Sequence, residues 1–237
     1  MKNKTLQIFI TLLSLILLMC GCSAFTTFFS IFIQEHTLSS IWVGLIQASF
    51  FAGYITGAHY AHHLVAKWSH RKGFSLITLL FCATQGAIFA TTSVYGWLLF
   101  RFLSGLLLSI LYVILESSLL ITSSGKKQGS TFSLFMIGLY LSQSVGQFIF
   151  NWAHHYIECI AIILPLLSIL PILFLTKQQI DHHLFTKVKL STFFKKFPSE
   201  MLLSALAGSL VGIFFIYCPL LLKEHALPVA GHRTLEK

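Results

Sequence analysis

Seven apolar runs, each long enough to cross a lipid bilayer, leave this chain few folds to choose from. They cover approximately Gln7–Ile33, Ile41–His62, Phe74–Thr92, Trp97–Ile121, Thr131–Trp152, Ile157–Thr176 and Met201–Leu222. A spanning helix needs about 20 apolar residues to cross a hydrocarbon core about 30 Å thick. Unpaired backbone groups are costly in lipid, so such runs close their hydrogen bonds internally as helices. The chain is 56% hydrophobic and only 10% charged, with a mean hydropathy of +0.82. A soluble domain carries about 25% charged residues. The expected fold is therefore all-α and polytopic, with the lipid bilayer as its solvent: a six-helix bundle followed by a seventh transmembrane helix.

The charges between the runs alternate. Lys2 and Lys4 precede the first run, and the second connection carries Lys67, Arg71 and Lys72. The fourth carries Lys126 and Lys127, and the sixth carries Lys177, Lys187, Lys189, Lys195 and Lys196. The first, third and fifth connections contain no Lys or Arg. Basic connections stay in the cytoplasm, which places the N-terminus and every even connection inside. The formal charge of +9 thus reads as a set of topology determinants, and nucleic acid is not an expected partner.

The start of the chain looks at first like a signal. Lys2 and Lys4 lead into an apolar run that reaches Cys20, Gly21 and Cys22, as in a cleavable or lipoprotein signal. The apolar run continues to Ile33, however, so an uncleaved first span is expected. The five cysteines are scattered through apolar segments, which points to buried thiols and no disulfide framework.

Four segments follow from this pattern. Residues 1–176 form the bundle, 177–200 a basic cytoplasmic loop, 201–222 the seventh helix and 223–237 a polar tail. Leu184, Val188, Phe193, Phe194 and Phe197 of the loop have the spacing of a short helix lying on the membrane surface.

The fourth run holds the most informative residues. At about 100° per residue, Arg101, Gly105, Ser109, Tyr112 and Glu116 share one narrow helical stripe. Charges within a membrane span are costly and usually face a bundle interior or a wet cavity. This stripe is therefore expected to form an inner wall. At about 1.5 Å per residue, Arg101 and Glu116 stand about 22 Å apart and cannot pair. Lys67, Arg71, Lys126 and Lys127 are the nearest cations for Glu116, while Arg101 has no carboxylate within the membrane. Gln47, Tyr54, Gln85, Gln143 and Gln147 are further polar groups that could line a path or bond across helices. Gln143 and Gln147 are expected on one face of the fifth helix, roughly opposite its small-residue stripe.

Small residues recur at four-residue spacing: Gly44, Ala48 and Ala52; Gly53, Gly57 and Ala61; Gly138, Ser142 and Gly146; Gly208 and Gly212. Such stripes let membrane helices approach closely. The pairs His62–His63, His154–His155 and His182–His183 point about 100° apart on a helix and make poor chelators, so no metal is expected. The chain has no Gly-rich phosphate loop, nucleophile elbow or paired catalytic carboxylates. No enzyme and no cofactor are expected.

Six spans, a long basic loop and a further span, together with Arg101-x3-Gly105-x3-Ser109, resemble the major facilitator superfamily of secondary transporters. Val113 to Ser117, Gly138 to Phe148, Gln34 to His36 and Ile41 to Gly44 resemble a poorly characterised bacterial branch. The loop between the second and third spans departs from the family motif: Lys67 and Arg71 match its basic positions, but its aspartate is missing. The fifth span also lacks the proline of the antiporter signature. The resemblance implies a bacterial inner-membrane carrier for a small solute, with ion or proton coupling and alternating access. Arg101, Tyr112 and Glu116 would line its path, joined by Gln47, Tyr54, Gln143 and Gln147. Family members have twelve spans, so a truncated carrier lacking its second half is expected. The alternative is a non-transporting remnant or membrane interaction protein.

Overall fold

A computed structural model describes residues 2–36, 40–67, 70–123, 128–153, 156–175 and 196–224. They form α1 (Lys2–His36), α2 (Ser40–Lys67), α3 (His70–Ala90), α4 (Val94–Thr122), α5 (Gln128–Ala153), α6 (Ile157–Leu167), α7 (Ile169–Leu173) and α8 (Pro198–Glu224). A helix thus stands at each of the seven predicted runs. Counted over the described residues, five are long and apolar enough to cross a membrane: Lys4–Ile33, Ile41–Ala61, His70–Ala90, Val94–Thr122 and Gln128–Ile149.

The sixth run differs from expectation. It is not one helix but two, α6 and α7, meeting at Ser168. Pro165 and Pro171 each lack a backbone N–H and crowd the preceding turn. The Ser168 hydroxyl donates to the Pro165 carbonyl at 2.6 Å, and its amide donates to the Leu164 carbonyl at 3.1 Å. These bonds satisfy backbone groups that the break would otherwise strand.

The chain divides into two compact units, Met1–Gln179 and Ile180–Lys237. In the first, α2 packs most extensively on α4 and α1 on α5, while α3 packs on α4 and α6 on α1. Exchanging α1 with α4, α2 with α5 and α3 with α6 preserves this pattern. The first six runs thus contain a three-plus-three repeat. Nested repeats of this kind occur in transporter halves.

Contacts along the seams give the helix directions. A Cβ at Gly105 would meet the Phe50 carbonyl oxygen, whereas one at Gly57 would meet Ser109 Oγ. Position numbers rise together on the two helices, so α2 and α4 run parallel. On α1 and α5, Gly138 faces Leu12 and Leu15, and Gly146 faces Cys20 and Ala24, so this pair is parallel too. His70 meets Ser117 while Gln85 meets Ser104, so α3 and α4 are antiparallel. These directions are those of a chain that reverses at every connection.

Glycine allows the close seams. A Cβ at Gly53 would collide with the Phe102 carbonyl, and one at Gly146 would lie 2.8 Å from Ser23 Cβ. With hydrogen in that place, backbones touch and dispersion contacts increase, which drives helix association where lipid is as apolar as leucine. Gly53, Gly57 and Ala61 are buried, whereas Ala48 and Ala52 are exposed. Only one of the two small stripes of α2 is used within this unit. Many of the unit's hydroxyls bond back to their own helix, as with Ser14 to Ile10 and Thr122 to Ser118, whereas Ser75 Oγ and Thr78 Oγ1 are buried without a partner.

The second unit is described through α8, with side chains to Phe214. Leu202, Leu203, Leu206 and Leu210 are exposed on it. The loop positions Leu184, Val188, Phe193 and Phe194 and the tail beyond Glu224 lie outside the described residues.

Candidate functional site

Among the described residues Arg101 is the largest fully buried side chain, 1% exposed. Its guanidinium lies over Phe29 at 4.3 Å and Phe25 at 4.9 Å, both from α1, and over Phe50 of α2 at 5.5 Å. The ring faces supply the negative potential that a carboxylate would otherwise provide. Nε and Nη2 are buried and have no hydrogen-bond partner. The aromatic wall extends past this cage. Phe25 stacks on Phe29, Phe32 stacks on His36 at 4.2 Å, and Trp97 meets Phe29 and Phe32 edge-on. The sequence showed a lone arginine, but its aromatic cage comes from two other helices and was not legible there.

The α4 stripe is not a continuous inner wall, which corrects the expectation. Arg101, Gly105 and Ser109 are buried, while Tyr112 and Glu116 are half-buried. Gly105 and Ser109 face α2 and serve its packing. The polar character is therefore confined to the two ends, with Arg101 near the N-terminal end of α4 and Tyr112 and Glu116 in its C-terminal half.

Around the second end, Tyr112 meets Phe135 of α5 edge-on, with centroids 5.3 Å apart. Tyr54 of α2 is tilted against Phe50 at 6.4 Å. Tyr112 and Glu116 stand one helical turn apart on α4. Of the four cations expected near Glu116, Arg71 makes no ion pair to it among the described residues. Lys126, Lys127 and the Lys67 side chain lie outside the described set.

The glutamines divide. Gln47 is buried and donates from Nε2 to Ser30 Oγ at 2.8 Å, which ties α2 to α1. Gln85 is buried and accepts from Ser104 Oγ at 3.4 Å. Gln143 and Gln147 are half-buried, beside rather than opposite the Ser142 and Gly146 stripe that faces α1. The difference is one of register: successive residues turn by about 100°, so each glutamine directly follows a seam residue. The Gln143 carbonyl also accepts from Ser23 Oγ at 2.7 Å.

His70 lies in the sequence between the two basic motif positions Lys67 and Arg71. It is the first residue of α3, 3% exposed, with Nε2 3.1 Å from Ser117 Oγ. Cys20, Cys22 and Cys82 are buried free thiols, and Cys159 is exposed. The histidine pairs lie outside the described side chains.

The family model described as "Major Facilitator Superfamily" matches residues 11–233. Among curated proteins, the chain is similar to an uncharacterized MFS-type transporter, YcaD, of Escherichia coli O45:K1 strain S88. The two are 22% identical over 190 residues, covering 77% of this chain and 49% of the relative. The proteins of that name from Salmonella dublin and Salmonella enteritidis PT4 are 22% identical over 147 residues, 62% of this chain and 38% of theirs. The chain thus spans half or less of the curated relatives it matches. The family match runs through all the helices just described, and this protein belongs to the Major Facilitator Superfamily.

Proposed function

We propose that the chain supplies the first half of a secondary transporter that moves a small solute across the bacterial inner membrane. Its N-terminus would be cytoplasmic. Substrate would bind near the midplane, between this bundle and a second half, and rocking of one against the other would alternate access. The basic loop 177–200 would join the halves, 201–222 would open the second, and 223–237 would follow as a tail. Arg101 and Glu116 are the proposed coupling groups, with Tyr54 and Tyr112 beside the solute path. Gln143 and Gln147 are proposed as polar lining and Gln47 as a strut. Lys67 and Arg71 are proposed to stabilise the cytoplasmic end, and proton coupling would use the α4 charges. The reading is of a carrier, not an enzyme.

The observation that carries it is the buried Arg101 with two unpartnered nitrogens on the same helix as Glu116. Membrane spans seldom retain such charges without a functional role.

Thiol accessibility tests this reading without knowledge of the solute. In membrane vesicles of a Cys159→Ser background, Tyr54→Cys, Tyr112→Cys and Gln147→Cys are expected to react with a hydrophilic maleimide. Leu79→Cys and Leu99→Cys, on exposed apolar faces, are expected to stay unlabelled. Equal labelling of both sets would remove the proposed path.

A further inference from the structure

We infer that Trp152 and Tyr156 dock in the glycerol–ester layer of one phospholipid leaflet, with Trp42 and Tyr95 reaching beyond them into its headgroups. All four belong to the first compact unit. Trp152 is 92%, Tyr95 74% and Tyr156 69% exposed. Trp42 is half-buried, its ring edge-on to Tyr95 at 6.2 Å. Exposed apolar faces lead from these rings toward the middle of the spans: Leu99 follows Tyr95, Ile163 follows Tyr156, and Leu141, Val145 and Phe148 lead up to Trp152. Stretches 34–66, 73–100 and 128–176 contain no Lys or Arg, so this end of the bundle is aromatic where the other is basic. A ring with an apolar body and one polar edge is at its most stable where hydrocarbon meets headgroup.

Contacts with α1 give the heights. A Cβ at Gly146 would meet Ser23 and the Ala24 amide, and Trp152 stands about 9 Å further along the parallel helix α5. Tyr156 directly precedes Ile157, which packs with Ala24, Phe28 and Ile31. Trp152 and Tyr156 are therefore level, beside the Phe28 turn of α1. Trp97 meets Phe29 while Arg101 lies over Phe25, so α1 and α4 are antiparallel and α3 runs parallel to α1. Phe89 of α3 meets Phe25 and Phe28, and the exposed Lys72 stands about 26 Å before it on the same helix. About 30 Å thus separates Lys72 from the level of Trp152 and Tyr156, which is the thickness of a hydrocarbon core. Gln47 of α2 bonds Ser30, and Trp42 lies about 8 Å outward of Gln47. Trp42 and its neighbour Tyr95 accordingly stand about 8–10 Å outside Trp152, at headgroup depth.

Depth-dependent quenching of tryptophan emission, on the full chain in phosphatidylcholine vesicles, tests this docking. The emission of each residue is the difference between the parent and Trp152→Phe or Trp42→Phe, ring-for-ring changes at the bundle surface. Lipid brominated near the ester end of its chains should remove most of the Trp152 emission, and lipid brominated near the methyl end should leave most of it. Trp42 should escape both brominated lipids and be quenched by a headgroup nitroxide. Leu79→Trp, on an exposed face midway along α3, is the control, and its added emission should be quenched more by methyl-end than by ester-end bromine. Stronger quenching of Trp152 by methyl-end bromine overturns the docking, as does equal depth for Trp42 and Trp152. Quenching of Trp152 by aqueous iodide and by neither lipid would put the ring in water and overturns it too. Protection of Trp152 from every quencher would mean that a protein surface covers it in place of lipid, with the same consequence.

Discussion

Gly105 of α4 lies directly against the Phe50 carbonyl of α2, where a Cβ would meet that oxygen and also stand 3.0 Å from the Tyr54 amide nitrogen. The contact fixes the register of α2 on α4, and hence the height of Tyr54 relative to Tyr112. Gly105→Leu should push the helices apart and cost about 1–3 kcal/mol, as overpacking does. Gly53→Leu should behave alike, because its neighbour is the Phe102 carbonyl. Gly129 has nothing within 4 Å, so Gly129→Ala should be neutral or stabilise by at most about 1 kcal/mol. Thermal unfolding in detergent, followed by loss of the monodisperse peak, ranks the three. A Gly105→Leu chain as stable as the parent would rule out the close seam.

Much of the fold was legible in the sequence because lipid imposes simple arithmetic. Length of apolar run gave the helices, and alternation of Lys and Arg gave the reversals that the parallel pairs α1/α5 and α2/α4 also require. The division at Ser168 was not read, although Pro165 and Pro171 signalled it, because hydropathy ignores backbone hydrogen bonding. The candidate site was legible in part. Arg101 and Glu116 stood out by charge alone, since any ionised group is conspicuous among leucines. The Phe25, Phe29 and Phe50 cage did not stand out, because a phenylalanine near an arginine in space resembles every other phenylalanine in sequence. Gln47 looked like path lining until its Ser30 partner was visible. Gly105 and Ser109 were grouped with the charges because a stripe records direction and not what it faces.

Reporter fusions test the topology directly. Fusions after Ser40 and after Lys127 should report opposite faces of the membrane, the first outside and the second in the cytoplasm. Both reporting one compartment would contradict the alternation of directions on which the bundle is built.

The Ser117 hydroxyl is the described partner of the buried His70 ring, whose Nδ1 is already unpartnered. Ser117→Ala would leave both ring nitrogens unpaired, costing about 1–3 kcal/mol. Ser117→Ala combined with His70→Phe removes donor and acceptor together, and a shape-matched apolar pair is close to neutral. The double variant should therefore be more stable than Ser117→Ala alone, a reversal that unfolding midpoints would show. Additive losses in the two single variants would mean that the bond contributes little.

Arg101 gives the sharpest separation of stability from function. Its charge is buried among rings and two of its nitrogens have no hydrogen-bond partner, so folding bears a desolvation cost that Phe25, Phe29 and Phe50 only partly offset. Replacing buried ionic groups by apolar residues of similar volume is often neutral or stabilising by about 1–4 kcal/mol. Arg101→Met should accordingly raise the unfolding midpoint while abolishing solute movement by the assembled carrier. Arg101→Lys should not raise the midpoint, because an ammonium is more strongly hydrated than a guanidinium and has no flat face to lay on the rings. It should lower stability and fail to restore transport. If Arg101→Met instead unfolds the chain, the guanidinium is a structural tie, and its place in the coupling scheme is lost.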